Sequence, residues 1–322
     1  MTKRALICGI SGQDGGYLAR LLVEQGYEVF GTSRDAERSE FANLSTLGVK
    51  DQIELRSMSL ADFRSVLATV SAIEPNEIYN LAGQSSVGLS FEQPMETMES
   101  ISMGVLNLLE VIRFTGGKAR LYNAGSSECF GDTGEVPANE ETPFRPRSPY
   151  AVAKSAAHWA VANYRESYGI FACNGILFNH ESPLRPPRFV TSKIIRSACA
   201  IKRGELDKLS LGNIDISRDW GSAREYVEAM WKMVQMERAG DYVIATGTTS
   251  SLADFLAAAF AAVGLDWQDY VEYNQDLARP SDIRFSAADP GKAWRELGWK
   301  AQSTMRDVVN EMIEAELGRL SA

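Results

Sequence analysis

The chain has 322 residues, 33 basic and 42 acidic side chains, a net charge of −9, and 45% hydrophobic against 23% charged residues. The acidic balance argues against a nucleic-acid partner held by phosphate neutralisation, and four scattered cysteines with only two histidines exclude a disulfide framework, a zinc motif or a His-rich metal site. With no stretch long enough to span a membrane, and Met1–Arg4 running straight into an apolar strand without a signal-peptide shape, a cytoplasmic enzyme is expected.

Ala5–Cys8 reads as a buried parallel strand feeding Gly9-Ile10-Ser11-Gly12-Gln13-Asp14-Gly15, after which Leu18, Leu21, Leu22 and Gln25 continue at helical spacing. Strand, glycine turn and helix in that order are the context of a dinucleotide site. The glycines let the backbone approach a diphosphate, and the N–H groups at the helix start point toward it. Gly9, Gly12, Gln13, Asp14 and Gly15 are therefore candidate cofactor contacts. Gly26 ends the helix, and a second strand, Tyr27–Thr32, leads to Ser33-Arg34-Asp35. An arginine at this place suits a ribose 2′-phosphate and an acid a 2′-hydroxyl. Arg34 points to NADP, and Asp35 leaves NAD open.

The alternation continues through Ile53–Leu55, a helix over Leu60–Ile73 and a strand Glu77–Leu81. That strand ends in the small, polar run Asn80-Leu81-Ala82-Gly83-Gln84-Ser85-Ser86, at the carboxyl edge where doubly wound sheets bind ligands. Leu81, Ala82 and Gln84 are assigned to cofactor and Ser85 to substrate. A long helix over Met95–Thr115 carries Val105, Leu108, Leu109 and Ile112 for core and subunit contacts. The next strand, Ala119–Ala124, ends in Gly125-Ser126-Ser127-Glu128, two hydroxyls and a carboxylate at a strand terminus.

Ser148-Pro149-Tyr150-Ala151-Val152-Ala153-Lys154 opens the following helix. Ser148 suits the N-cap and Pro149 the first helical position, so Tyr150 and Lys154 share one face. A phenol has an ordinary pKa of about 10, and a neighbouring ammonium together with a cationic cofactor ring favours phenolate. The pair is a candidate proton acceptor for an alcohol being oxidised, with Ser126, Ser127 and Glu128 completing a catalytic set.

A strand Phe171–Phe178 leads to the proline- and arginine-rich crossover 179–188, then a helix to about Arg203, a short strand Leu209–Leu211 and the segment Asn213–Trp220. Helix Ala223–Met236 and strand Tyr242–Thr246 return to the sheet; helices over Ser251–Val263 and Thr304–Leu317 close the chain. The expected fold is α/β: a Rossmann-like doubly wound parallel sheet with a smaller C-terminal α/β substrate-binding domain. Residues 1–178 with 214–247 form the dinucleotide domain, and 179–213 with 248–322 the second.

With these residues in view, the chain resembles the extended short-chain dehydrogenase/reductase superfamily and, within it, the GDP-mannose 4,6-dehydratases. Gly9–Gly15, Arg147-Ser148-Pro149-Tyr150, Asn174–Pro183, Arg218-Asp219-Trp220 and Tyr226–Trp231 carry the likeness, the ten-residue run Asn174–Pro183 most specifically. The resemblance implies that Tyr150, assisted by Lys154, takes the proton from the sugar O4 during oxidation at C4. Glu128 then removes the C5 proton as water leaves C6, and the hydride returns to C6. It also implies that Asn179, Glu181, Val190, Lys193, Arg218 and Arg279 hold a GDP-sugar, and that the protein is a homodimer or a dimer of dimers. Asp35 stands where the family commonly has a second arginine. Gly31–Arg34 and Gly125–Glu128 look more like the related GDP-4-keto-6-deoxy-mannose reductases. That activity, a 4,6-dehydratase of another GDP-sugar such as GDP-manno-heptose, and a non-enzymatic dinucleotide sensor are the alternatives.

Overall fold

The structure, a computed structural model, describes residues 2–134, 136–277 and 281–318. Its first half alternates β1 (Arg4–Cys8), α1 (Gln13–Glu24), β2 (Glu28–Ser33), α2 (Ala42–Thr46), β3 (Ile53–Ser57), α3 (Phe63–Ile73) and β4 (Glu77–Asn80). Then come α4 (Val87–Glu92), α5 (Pro94–Met98), α6 (Gly104–Phe114), β5 (Arg120–Ala124), α7 (Pro149–Tyr168) and β6 (Ala172–Leu177). The second half runs β7 (Asn179–Glu181), α8 (Val190–Lys202), β8 (Leu209–Leu211), β9 (Ser217–Ser222), α9 (Ala223–Gln235), β10 (Asp241–Ile244) and β11 (Thr249–Ser251). It ends with α10 (Leu252–Ala262), β12 (Val271–Tyr273), α11 (Gly291–Leu297) and α12 (Met305–Gly318).

Seven strands form one parallel sheet in the order β10-β6-β5-β4-β1-β2-β3. The strands are buried on both faces because each face carries helices. Tyr17, Leu18 and Leu22 of α1 and Tyr226, Met230 and Met233 of α9 cover one face. Val66 and Val70 of α3, Leu108 and Leu109 of α6 and Ala157 and Val161 of α7 cover the other. After β3 the chain crosses to the far side of β1, so the cleft outside the carboxyl ends of β1 and β4 is the topological switch point, where such sheets bind ligands.

Two small sheets, β11-β9-β7 and β12-β8, lie beyond this edge. Ile194 and Ile195 of α8, Phe255 and Phe260 of α10 and Val309 and Met312 of α12 pack together there around the buried Trp220. Within 214–247 the chain changes sheets: β9 pairs with β7 and β11, while β10 pairs with β6. The helix expected to begin at Leu60 begins at Phe63, because the Asp62 carboxylate accepts the Arg64 N–H and caps it. The helix expected over Met95–Thr115 contains a π-helical turn at Glu99–Met103 between α5 and α6.

A ladder of side-chain amides crosses the sheet. Asn80 Nδ2 donates to Asn123 Oδ1 (3.0 Å), Asn123 Nδ2 to Asn174 Oδ1 (2.9 Å), and Asn174 Nδ2 to Asp241 Oδ1 (2.9 Å). Arg165 of α7 closes it with a two-pronged ion pair to Asp241 at 2.9 and 2.8 Å.

Candidate active site

Ser148 Oγ accepts the Ala151 N–H at 3.1 Å and Pro149 occupies the first turn of α7, which fixes where Tyr150 and Lys154 emerge. Lys154 Nζ donates to the carbonyl of Ala124, the last residue of β5, at 2.7 Å, and sits 5.8 Å from the centre of the Tyr150 ring. Burial pulls the Lys154 ammonium down to about 8, against the opposing charge of Asp14. Burial also raises the Tyr150 phenol above its ordinary value, offset in part by a hydrogen bond with Ser126. The sequence suggests a phenol drawn toward phenolate by Lys154 and a cationic cofactor ring together; burial of the ring acts in the opposite direction.

The end of β5 supplies the rest of the set. Gly125 passes so close to β6 that a Cβ there would lie 2.9 Å from the Gly175 oxygen. Ser126 Oγ then accepts the Glu128 N–H at 3.3 Å and caps a short 3-10 turn, Ser127–Phe130. Ser126 and Ser127 are buried, and Glu128 lies near enough to push the Tyr150 phenol upward. A hydroxyl, a carboxylate, a phenol and an ammonium thus converge where β5 ends. That arrangement can move two different protons: one at the phenol, one at the carboxylate.

The turn between β1 and α1 is pinned to β2 by the Gly9 and Ile10 N–H groups, both donated to the Thr32 carbonyl. Gly9 has φ +81°, and a Cβ on it would lie 2.9 Å from the Ala82 backbone; one on Gly15 would lie 2.6 Å from Ile10 Cα. Both glycines are demanded by the protein's own packing. Gly12 differs. Its φ is −73°, a Cβ would meet only the Gly9 oxygen at 3.4 Å, and it caps α1 without any side-chain bond to the first-turn N–H groups. Nothing in the protein requires glycine there, whereas an anion seated on those N–H groups would. The residues fit a dinucleotide diphosphate.

Gln13 is buried and engaged on both ends, donating to the His180 carbonyl and the Asp14 carboxylate and accepting from Ser182 Oγ at 2.7 Å. Asp14 Oδ2 faces His180 Nε2 at 2.9 Å. Beyond β2, Arg34 is exposed and lies 3.4 Å from Glu96. The Asp35 carboxylate is turned back on its own loop, where Oδ1 accepts the N–H groups of Glu37 and Arg38, both at 3.1 Å. At the end of β4, Leu81 N–H joins the Cys8 carbonyl, and Ala82 backs Gly9. Gln84 bonds Ser86 and Thr97, and Ser85 Oγ accepts from Arg188 at 3.2 Å.

On the facing wall, Asn179 and Glu181 lie in β7. Glu181 is buried, 3.0 Å from Arg185 and accepting from Thr191 at 2.8 Å. Val190 opens α8, and Lys193 Nζ donates to the Ser210 carbonyl at 2.7 Å. Arg218 is buried, donates to the Ser217 carbonyl and lies 3.6 Å from Asp282. Arg279 falls outside the described residues. The sequence reading missed the side chains of His180, Arg185 and Arg188, which sit on the crossover it noted. None belongs to a spaced pattern, and their partners are far away in the chain. Among the described residues no group of three or more His, Cys, Asp or Glu side chains could hold a metal ion, and no helix is long and apolar enough to cross a membrane.

Residues 6–312 match the family model described as GDP-mannose 4,6 dehydratase. The chain is 46% identical over 325 residues to GDP-mannose 4,6 dehydratase 2 of Arabidopsis thaliana, covering 98% of this chain and 87% of the relative. It is 44% identical over 342 residues to GDP-mannose 4,6-dehydratase of Sinorhizobium fredii, covering 99% and 97%. Among solved structures it is similar to the Thermus thermophilus UDP-glucose 4-epimerase complex with NAD, with TM-score 0.86 and 24% identity over 98% of this chain and 99% of that one. It is also similar to Pseudomonas aeruginosa RMD complexed with NADPH, with TM-score 0.83 and 21% identity over 99% and 100%. These two structural likenesses speak for the fold alone.

Proposed function

The chain belongs to the GDP-mannose 4,6-dehydratase family, and from that premise we propose that it converts GDP-mannose to GDP-4-keto-6-deoxymannose. The observation that carries the reading is the family match over residues 6–312; the site supplies the second proton-moving group it calls for, Glu128, held by the turn that Ser126 caps, beside the Tyr150–Lys154 pair. Oxidation of an alcohol needs only one base. Oxidation followed by elimination needs a second, placed for a different carbon.

A bound nicotinamide dinucleotide supplies the chemistry of accepting hydride from C4 and giving it back at C6. Tyr150 takes the O4 proton, with Ser126 hydrogen-bonded to its phenol and Lys154 setting the local charge. The 4-ketone acidifies the C5 hydrogen, and Glu128 removes it as hydroxide leaves C6 and is protonated to water. The proton that Glu128 took from C5 is the one that makes the leaving hydroxide water, and Tyr150 then returns to C5 the proton it took from O4. The diphosphate of the nucleotide sugar is assigned to Lys193, Arg218 and Arg279, and the rest of its binding to Ser85, Asn179, Glu181 and Val190. Incubation of the protein with GDP-mannose and no added reductant should yield a product lighter by one water, with no net cofactor change. Consumption of NADPH with a 4-keto-6-deoxy sugar, and no water loss from GDP-mannose, would replace this reading with a reductase.

The cofactor contacts are assigned to Gly9, Gly12, Gln13, Gly15, Arg34, Leu81, Ala82 and Gln84, with Tyr150 and Lys154; Asp14 is assigned there through its backbone N–H only, its side chain being turned to His180. Gly12→Ala should keep the fold and lose at least about tenfold in dinucleotide affinity, read by titration. Unchanged affinity would remove the turn from the site. NADP is favoured over NAD because the Asp35 carboxylate is committed to two loop N–H groups, while Arg34 is tied only by a solvent-exposed ion pair to Glu96. Arg34→Ala should weaken NADP binding about tenfold or more and NAD binding little, since a hydrogen bond to a charged phosphate is the one lost. Equal loss for both would reject the preference.

A second copy of this chain is the partner that suits the exposed face of α7, where Trp159 is 61% exposed and Val152 lies seven residues, two turns, before it. Sedimentation would show a dimer or a larger even assembly.

A further inference from the structure

This inference rests on the dinucleotide reading above. The first turn of α1 contains an acid, Asp14, at the place where a diphosphate is to be held. A carboxylate suits a helix N-terminus by itself, but it repels a second anion brought to the same N–H groups.

His180 answers that problem. Its Nδ1 lies 2.7 Å from the Phe178 carbonyl oxygen and its Nε2 2.9 Å from Asp14 Oδ2. A carbonyl accepts only, so Nδ1 donates; with Asp14 ionised, Nε2 donates as well and the ring is an imidazolium. The ring is buried and stacked on Tyr226, with centres 4.6 Å apart and planes 26° from parallel. The charged groups around the pair are Arg185 on the crossover, which favours ionised Asp14 and opposes charge on His180, and Lys154 on α7, which feels Asp14. Tyr226 on α9 stays neutral, its phenol pushed far up by burial. Burial opposes the imidazolium, yet Asp14 and the Phe178 carbonyl hold His180 above its ordinary value, and Asp14 lies below its own. Gln13 and Ser182 brace the same contact, tying the glycine turn to β7 and the residue after it.

We propose that His180 is a charge-compensating positioning residue: it neutralises Asp14 and holds it toward β7, so that α1 keeps an electropositive end for the dinucleotide diphosphate. The role needs opposite charges, which a merely structural contact does not.

The test is a titration of NADP and of NAD against the full-length wild type, His180→Gln, Asp14→Asn and the double variant, with circular dichroism to check folding. His180→Gln should bind about tenfold more weakly, because an uncompensated carboxylate then faces the diphosphate. Asp14→Asn should bind at least as tightly as wild type. The double variant should recover to within about threefold of wild type, since no charge is left to compensate. A double variant as weak as His180→Gln, or an Asp14→Asn variant tenfold weaker than wild type, overturns the proposal. If His180→Gln does not fold, the comparison of Asp14→Asn with the double variant decides, equal affinity supporting compensation and a tenfold loss in the double rejecting it. A wild type that binds neither dinucleotide sinks the parent reading and this one with it. Normal wild-type binding with four equal affinities sinks only this one.

Discussion

Tyr150→Phe should leave a folded protein that still binds dinucleotide and turns over about 10³-fold more slowly, because general acid–base catalysis by one positioned group contributes roughly 10² to 10⁴. The ring packs with the α3, α6 and α7 core, and phenylalanine preserves that contact while deleting the hydroxyl that Ser126 engages. Single-turnover product formation and the melting temperature separate the two effects: the first collapses and the second hardly moves. Undiminished turnover would remove Tyr150 from the chemistry. The pH profile carries a second signature. Lys154 titrates at about 8, so the ammonium beside the phenol is lost as pH rises past that value and turnover falls. Its contribution to stability moves the other way. The folded-state pKa is depressed below the ordinary 10.5, so between about 8 and 10.5 the unfolded chain holds the extra proton and stability gains with pH.

Glu128→Gln should separate the steps. Glutamine keeps the size and the turn but cannot accept a proton, so water loss drops by about 10² to 10⁴ while nucleotide-sugar affinity changes little. Exchange of the C5 hydrogen with deuterated solvent is the sharper measurement, since the base removes that hydrogen. The variant should show almost none. A parallel fall in affinity and turnover would instead give Glu128 a role in positioning.

Much of this architecture was legible from local chemistry. The glycine turn, the Ser148–Pro149 helix start and the apolar runs of the parallel strands each carry their own signal within a few residues, and the structure places them as read. The short strands β7, β9 and β11 were not legible, because three to six largely polar residues lack a period to detect. His180 illustrates the same limit: it meets Asp14 across 166 residues, and no spacing rule links them. The direction of the Tyr150 shift was beyond sequence for another reason. A four-residue spacing gives proximity to Lys154, but desolvation depends on what the fold stacks above the ring, and here it dominates. Likewise Asp35 looks like a ribose-binding acid until its Oδ1 is seen to accept two N–H groups of its own loop.

The amide ladder across β4, β5, β6 and β10 bears on how the sheet is assembled. Parallel strands are otherwise poorly aligned by their apolar side chains, since one valine or isoleucine replaces another at little loss. Asn80, Asn123, Asn174 and Asp241 stand at matched register positions. Sliding any strand by one residue turns its amide to the opposite face and leaves a neighbour's polar group buried and unbonded, at about 1–3 kcal/mol per group. The ladder is therefore a proofreading device. The same alignment sets Ala124 at the height where Lys154 can reach its carbonyl.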